Sequence, residues 1–179
     1  MNLPNKITIF RVIMIPVFLV FMLVPEIPYG NYFAAIVFVV ACLSDALDGY
    51  LARKHNLVTN FGKFMDPLAD KLLVCSALIC FVELSYMSAW IVIIIIAREF
   101  IISGFRLIAS DNGVVIAASY CGKFKTIAQM IACILLIVQL PFSFADVLEQ
   151  IFIWLALLLT VVSLCEYIWK NRNILKETK

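Results

Sequence analysis

Six long apolar stretches constrain this chain more than any other feature. They cover about residues 7–24, 32–51, 67–84, 89–108, 119–140 and 148–169. Each is close to the roughly 20 residues that an α-helix needs to cross a bilayer. Of the 179 residues, 64% are hydrophobic and 15% are charged, whereas a soluble domain carries about 25% charged residues. Such a chain cannot cover its apolar surface in water. We therefore expect an all-α integral membrane protein with six transmembrane helices in a single domain, residues 1–179.

The placement of the basic residues predicts the orientation of these helices. With a cytosolic N-terminus, all 14 lysines and arginines fall on the cytosolic side, and the other side receives acids but no base. Because loops rich in lysine and arginine stay in the cytosol, both termini are predicted to be cytosolic. We interpret the first stretch as a retained helix, since no small-residue cleavage site of a signal peptide follows it. A net charge of +2 is too small to indicate nucleic-acid binding.

Four aspartates flank the connection between the second and third stretches. Asp45 and Asp48 are three residues apart, and Asp66 and Asp70 are four apart, so each pair shares one helix face. Two antiparallel helices joined by a short connection bring all four carboxylates together at the cytosolic membrane surface. Clustered carboxylates repel each other, and their oxygens suit Mg²⁺ or Mn²⁺ rather than zinc. Two such ions would clamp a diphosphate.

Small residues accompany these aspartates at Gly49, Ala52 and Gly62. A glycine costs about 1 kcal/mol in a helix, so the pattern indicates the close approach of a flat nucleobase or ribose. The alternative is close helix packing, which small residues also permit in membranes. For the aspartates, the alternatives are ordinary surface acids at helix ends, or carboxylates paired with the nearby lysines Lys54, Lys63 and Lys71.

The string Asp-x2-Asp-Gly-x2-Ala-Arg-x8-Gly-x3-Asp-x3-Asp, at residues 45–70, resembles the signature of the CDP-alcohol phosphatidyltransferase family at every defined position. The resemblance implies an enzyme that joins a CDP-linked donor to an alcohol and releases CMP. It implies a homodimer in a bacterial cytoplasmic membrane, and we expect a polar active-site cavity open to the cytosol. The implied metal ligands are Asp45, Asp48, Asp66 and Asp70, with Asp70 also the candidate catalytic base. The implied CDP-binding residues are Asp45, Asp48, Gly49, Ala52, Arg53, Gly62 and Asp66.

Softer sequence blocks at residues 2–11, 66–71, 98–100 and 122–126 resemble bacterial members that use CDP-diacylglycerol as donor and sn-glycerol 3-phosphate as acceptor. This acceptor is a dianion, so its phosphate needs cations beyond the metal site. Arginine and lysine are the side chains that bind phosphate. The candidates are Arg106, Lys123, Lys125 and Arg98. For the two lysines, the alternative is attraction to anionic lipid headgroups. For Arg98, it is pairing with the neighbouring Glu99 or with a carboxylate on another helix.

Three other functions remain open. Within the same family, the acceptor would instead be phosphatidylglycerol, serine or inositol phosphate. A membrane prenyltransferase also binds metal diphosphates through aspartates, but with two motifs far apart in a longer chain. A cation transporter would need its acids near the middle of the membrane, and it leaves Gly49, Ala52, Arg53 and Gly62 unexplained.

Overall fold

The computed structural model describes residues 3–54, 60–111 and 119–171, with side chains at 7–44, 65, 68–109, 119–142 and 144–171. Over these residues it contains α-helices and no strand. The helices are α1 Leu3–Leu23, α2 Gly30–Lys54, α3 Asn60–Glu83, α4 Ala89–Asp111, α5 Tyr120–Val138 and α6 Ser143–Lys170. Each contains most of one predicted apolar stretch, so the prediction of an all-α fold is confirmed for the described residues.

The ends of the helices differ from the predicted spans more than their centres do. The third helix begins at Asn60, well before the predicted start at residue 67, and the sixth begins at Ser143 rather than at residue 148. An apolar window ends where the side chains become polar, whereas a helix continues through polar turns. At its other end, α6 is capped by Asn171, whose backbone N–H and side-chain Nδ2 both donate to the Tyr167 carbonyl, at 3.1 and 2.8 Å.

The helices belong to two compact units. The first comprises Met1–Tyr86 and Leu136–Leu140, and the second comprises Met87–Leu135 and Pro141–Lys179. The first unit therefore contains α1, α2 and α3, and the second contains α4, α6 and most of α5. The prediction of a single domain over residues 1–179 stays a prediction.

In the first unit, α1 packs against both α2 and α3. Phe18 and Phe38 are completely buried, and their ring centroids lie 5.9 Å apart. The rings of Phe21 and Phe33 stack with centroids 5.4 Å apart. Because the later residue of α1 meets the earlier residue of α2, the two helices run antiparallel. This direction agrees with successive crossings of a membrane.

The connection between α1 and α2 requires a residue without a side chain at Gly30. A Cβ at this position would lie 2.7 Å from the carbonyl oxygen of Phe21, so one of the two backbones would have to move. The N–H of Gly30 donates to the carbonyl of Ile27 at 3.1 Å, and the preceding Tyr29 has a left-handed φ of 59°. This tight turn holds the start of α2 against the end of α1.

In the second unit, α4 and α6 pack on each other and run parallel. Near the start of α4, the ring centroid of Trp90 lies 5.9 Å from that of Trp154. Further along both helices, the rings of Phe105 and Tyr167 meet edge to face at 6.1 Å. Helices that are separated by one intervening crossing point the same way across a bilayer, so this pair agrees with alternating spans.

Among the described residues, two helical segments are long and apolar enough to cross a membrane. They are Tyr120–Val138 and Phe144–Lys170. Two shorter apolar segments, Ile7–Leu23 and Gly30–Ser44, accompany them. The fourth helix contains Arg98, Glu99 and Arg106 in its sequence, and these charges lower its mean hydropathy. The number of six spans and the cytosolic position of both termini stay predictions.

Candidate active site

The four motif aspartates occupy two adjoining helices of the first unit. Asp45 and Asp48 lie in α2, and Asp66 and Asp70 lie in α3. The prediction that each pair shares one helix is confirmed. Since positions three or four apart are neighbours on a helix surface, each pair shares one helix face. The two helices pack against each other and against α1.

Most side chains of the motif lie outside the described part of the structure. This set comprises Asp45, Asp48, Gly49, Ala52, Arg53, Gly62 and Asp66. Among the side chains that are described, no group of three or more His, Cys, Asp or Glu residues is placed to hold a metal ion. Of the four predicted metal ligands, that set includes Asp70 alone. The assignments of metal and CDP contacts therefore stay predictions.

Asp70 is the motif aspartate whose side chain is described, and it is exposed. Its neighbours Ala69 and Leu73 are 2% and 1% exposed, so α3 turns an apolar face inward beside this carboxylate. Asp70 also has an interaction partner of its own. An exposed carboxylate on a firmly packed helix combines access for a substrate with a fixed position.

Two polar residues of α1, Thr8 and Arg11, are completely buried in the first unit. Phe18 faces Phe38 and Phe21 faces Phe33, which gives the register of α1 against α2. Continued toward the start of α1, this register brings Arg11 level with residues 43–45 and Thr8 level with residues 46–48. A buried guanidinium requires a compensating charge.

The first helix therefore adds an arginine and a hydroxyl at the level of the aspartates in α2. In the sequence, Thr8 and Arg11 belong to a block of family resemblance, and neither was assigned to a site. The available sequence signal was a basic residue inside an apolar stretch, which in membrane helices usually has a function.

A buried charge cluster joins the three helices of the second unit. Arg98 of α4 donates from Nη1 to Oε1 of Glu99 at 2.9 Å. Lys125 of α5 donates from Nζ to the same carboxylate oxygen. Arg98 also donates from Nε and Nη2 to the hydroxyl of Ser163 in α6, at 3.2 and 3.0 Å. Arg98 and Lys125 are only 7% and 2% exposed. We call Arg98, Glu99, Lys125 and Ser163 the charge cluster.

The charge cluster decides one pairing that the sequence left open. The pairing of Arg98 with Glu99 is confirmed. Lys125 is buried and pairs with the same acid. The structure thus brings two of the four predicted acceptor ligands together, around a carboxylate that the sequence analysis named only as a partner for Arg98.

The other two predicted acceptor ligands, Arg106 and Lys123, are exposed. The Nζ atom of Lys123 lies 5.4 Å from the ring centroid of Tyr120, within the range of a cation–π contact. Lys123 and Lys125 are two positions apart, so they lie on different sides of α5. The helix exposes one lysine and buries the other.

Helix α5 approaches the guanidinium of Arg98 at a glycine. A Cβ on Gly122 would lie 3.5 Å from Nη2 of Arg98 and 3.4 Å from Oγ of Ser119. Ser119 Oγ in turn accepts the N–H of Gly122 at 3.1 Å. With glycine at this position, no side chain of residue 122 covers that edge of the guanidinium.

Two residues of the charge cluster were missed as functional candidates. Glu99 gives a sequence signal, because an acid within an apolar stretch is costly unless it is paired. Ser163 gives none, since serine is common where membrane helices pack. It is completely buried, and its hydroxyl donates to the carbonyl of Thr160 at 3.0 Å. Its lone pairs therefore face Arg98.

Comparison with known proteins extends these observations along the whole chain. A family model described as CDP-alcohol phosphatidyltransferase matches residues 1–162. The CDP-diacylglycerol–glycerol-3-phosphate 3-phosphatidyltransferase of Bacillus subtilis (strain 168) is 48% identical, over 98% of this chain and 97% of that protein. Proteins of the same name are 40% identical in Haemophilus influenzae, over 93% of this chain and 91% of the relative. In Rickettsia bellii, the identity is 38% over 90% and 91%.

Proposed function

The chain belongs to the CDP-alcohol phosphatidyltransferase family, and we propose that it transfers a phosphatidyl group from CDP-diacylglycerol to sn-glycerol 3-phosphate. The products are phosphatidylglycerophosphate and CMP. The observation that carries this proposal is the nearly full-length similarity to relatives whose names state this donor and this acceptor. The aspartate positions in α2 and α3 support it, because they supply the carboxylates that a CDP-dependent transfer requires.

The proposed metal site uses Asp45, Asp48, Asp66 and Asp70. A donor set made of carboxylates alone, on two packed helices, fits a hard divalent cation such as Mg²⁺ or Mn²⁺. One or two such ions, when bound, would neutralise the diphosphate and stabilise the CMP leaving group. The aspartates would orient the donor, with its acyl chains in the bilayer.

The proposed CDP surface lies beside these acids on α2 and at the start of α3. Gly49, Ala52 and Gly62 carry little or no side chain, so a nucleobase or ribose could approach the helix backbone closely. Arg53 would add a cation beside the diphosphate, where a guanidinium matches phosphate oxygens. This surface also includes Asp45, Asp48 and Asp66.

Asp70 is the proposed catalytic base, a role that its exposure on α3 supports. Its carboxylate would take the proton of the acceptor hydroxyl as that oxygen attacks the phosphorus bonded to diacylglycerol. The bond between this phosphorus and the CMP oxygen breaks, and CMP leaves. Positioning and charge neutralisation supply most of the acceleration in phosphoryl transfer.

The proposed contacts for the phosphate of glycerol 3-phosphate are Arg106, Lys123, Lys125 and Arg98. Exposure of Arg106 and Lys123 leaves both accessible to a soluble anion. Lys125 and Arg98 share one carboxylate, so these two cations retain one excess positive charge. A buried excess charge favours the binding of an anion.

We further propose a multi-pass protein of the bacterial cytoplasmic membrane, with a single catalytic domain, six spans, both termini and the active-site cavity on the cytosolic side. Two helical segments long and apolar enough to cross a membrane support the membrane location. A homodimer is implied by the family resemblance, and chemical cross-linking in native membranes would test it.

The deciding experiment measures CMP release by the detergent-purified chain with CDP-diacylglycerol and Mg²⁺ or Mn²⁺, with and without glycerol 3-phosphate. We expect CMP to depend on glycerol 3-phosphate and to disappear with a chelator. Phosphatidylglycerol, serine and inositol phosphate are tested in parallel. If one of these is used instead, the proposed acceptor is wrong while the aspartate site stands. If no alcohol releases CMP, the transferase proposal itself fails.

A further inference from the structure

The two buried cations of the charge cluster depend on one acid. Arg98 Nη1 and Lys125 Nζ both donate to the same oxygen, Oε1 of Glu99. Two cations that lie this close repel each other strongly in a site of low dielectric. Glu99 is thus the residue that keeps the two cations side by side.

The guanidinium of Arg98 is held along two edges. Glu99 accepts one N–H from Nη1, while the hydroxyl of Ser163 accepts from Nε and Nη2 at 3.2 and 3.0 Å. Ser163 is completely buried, so this second hold is part of the packed interior of the unit. With both edges engaged, the plane of the guanidinium is fixed.

The charge cluster is partly exposed at its acid. The side chain of Glu99 is 23% exposed, and Gly122 leaves the neighbouring edge of Arg98 without a Cβ. Two cations and one carboxylate leave one positive charge in excess, and such a charge is compensated best by an anion that reaches it. A phosphate monoester has this charge and matches the donors of arginine and lysine.

We infer that Glu99 is a positioning residue for the acceptor: it holds Lys125 and Arg98 in the arrangement that binds the phosphate monoester of the acceptor. Glu99 itself repels this anion, and it acts through the two cations. The inference rests on the proposed function, because it concerns the phosphate of the same acceptor. It predicts an effect on acceptor binding that is separate from donor binding.

The test uses the detergent-purified full chain and the CMP release assay. Glu99→Gln keeps the size of the side chain and removes its charge. We expect the KM for glycerol 3-phosphate to rise about tenfold or more, as for loss of one partner of a buried charge pair at a binding site, with the KM for CDP-diacylglycerol unchanged. Glu99→Asp should recover part of the loss, and Glu149→Gln, an acid of α6 outside the charge cluster, is the matched control.

A second variant keeps the test decisive if Glu99→Gln does not fold. Ser163→Ala removes the other hold on Arg98 without changing the charge, and it should raise the KM for glycerol 3-phosphate by a smaller factor. If Glu99 and Ser163 had a purely structural role, their variants would raise both KM values or lower the yield of folded enzyme. If both variants keep the wild-type KM for the acceptor, or raise the two KM values equally, the inference is wrong.

A binding arm separates this inference from the proposed function. Inorganic phosphate should raise the Tm of the wild-type protein, and this shift should be lost in Glu99→Gln. The same protection by CDP-diacylglycerol should be retained, which distinguishes the acceptor phosphate from a phosphate on a lipid. A wild-type protein that responds to phosphate but does not turn over glycerol 3-phosphate keeps the inference and overturns the acceptor. If inorganic phosphate raises the Tm of Glu99→Gln as much as that of the wild-type protein, the inference is wrong whatever the acceptor is.

Discussion

Replacing Asp70 with asparagine should stop turnover while leaving the protein folded. The side chain is exposed, and Asn has nearly the same shape, so no cavity forms in the core around Ala69 and Leu73. Loss of an interaction made by an exposed charge costs no more than about 1 kcal/mol of stability. A positioned general base contributes roughly 10²–10⁴-fold to the rate. Since each factor of ten equals about 1.36 kcal/mol, the barrier should rise by about 3–5 kcal/mol.

The assay must separate the proposed role of Asp70 as a base from its proposed role as a metal ligand. CMP release is measured for the wild-type chain and for Asp70→Asn over a wide range of Mn²⁺ concentrations, at saturating CDP-diacylglycerol and glycerol 3-phosphate. A weakened metal site should recover activity at high Mn²⁺. A missing base should not, because no metal concentration restores the proton acceptor.

The control for this experiment is Glu83→Gln, which removes an exposed acid from the other end of the same helix. It should leave kcat and both KM values unchanged. An Asp70→Asn enzyme with wild-type kcat would refute the assignment of Asp70 as the base. Full recovery at high Mn²⁺ would instead reduce its role to holding the metal.

Three further substitutions test other parts of the structure. Gly30→Ala should lower stability by about 1–3 kcal/mol through overpacking, because its Cβ would lie 2.7 Å from the Phe21 carbonyl. Gly104→Ala should not lower stability, because a Cβ at this position meets nothing within 4 Å. Equal Tm values for the Gly30→Ala and Gly104→Ala proteins in detergent would contradict the close approach at Gly30. Arg11→Met should destabilise the protein by about 3–5 kcal/mol if the completely buried Arg11 is one half of a buried ion pair; an unchanged Tm would rule out such a pair. Asp48→Asn should raise the Mn²⁺ concentration for half-maximal activity by about tenfold or more, and an unchanged Mn²⁺ dependence would exclude Asp48 from the metal site.

The helices were predictable from the sequence because apolar stretches of membrane length leave few other folds. Their ends were not. Asn60 starts α3 in a polar segment that hydropathy assigns to a connection, since hydropathy measures the preference for lipid and not the tendency to form a helix. The spacing of Asp66 and Asp70, in contrast, did predict a shared helix face, because the helix period is the same in polar and apolar segments.

The charge cluster contains contacts between helices that the spacing of residues within one helix does not predict. The contact between Arg98 and Glu99 was foreseen, as these residues are neighbours in the chain. The bonds from Arg98 to Ser163 join residues 65 positions apart, and no periodicity within α4 or α6 indicates which residues of the two helices meet. The parallel contact between the helices, from Trp90 and Trp154 onward, decides that pairing.

Lys123 and Lys125 have different environments although they are only two positions apart in α5. At 3.6 residues per turn, two positions differ by about 200° around a helix, so the two side chains of a Lys-x-Lys motif leave the helix in different directions. An exposed lysine such as Lys123 can extend its stem toward water or a headgroup, whereas Lys125 is 2% exposed and requires an acid. Leaving a buried charge unpaired costs about 3–5 kcal/mol, a large part of the stability of a small protein. An inward-facing base in a membrane helix therefore predicts a carboxylate on a neighbouring helix, and for Lys125 that carboxylate is Glu99.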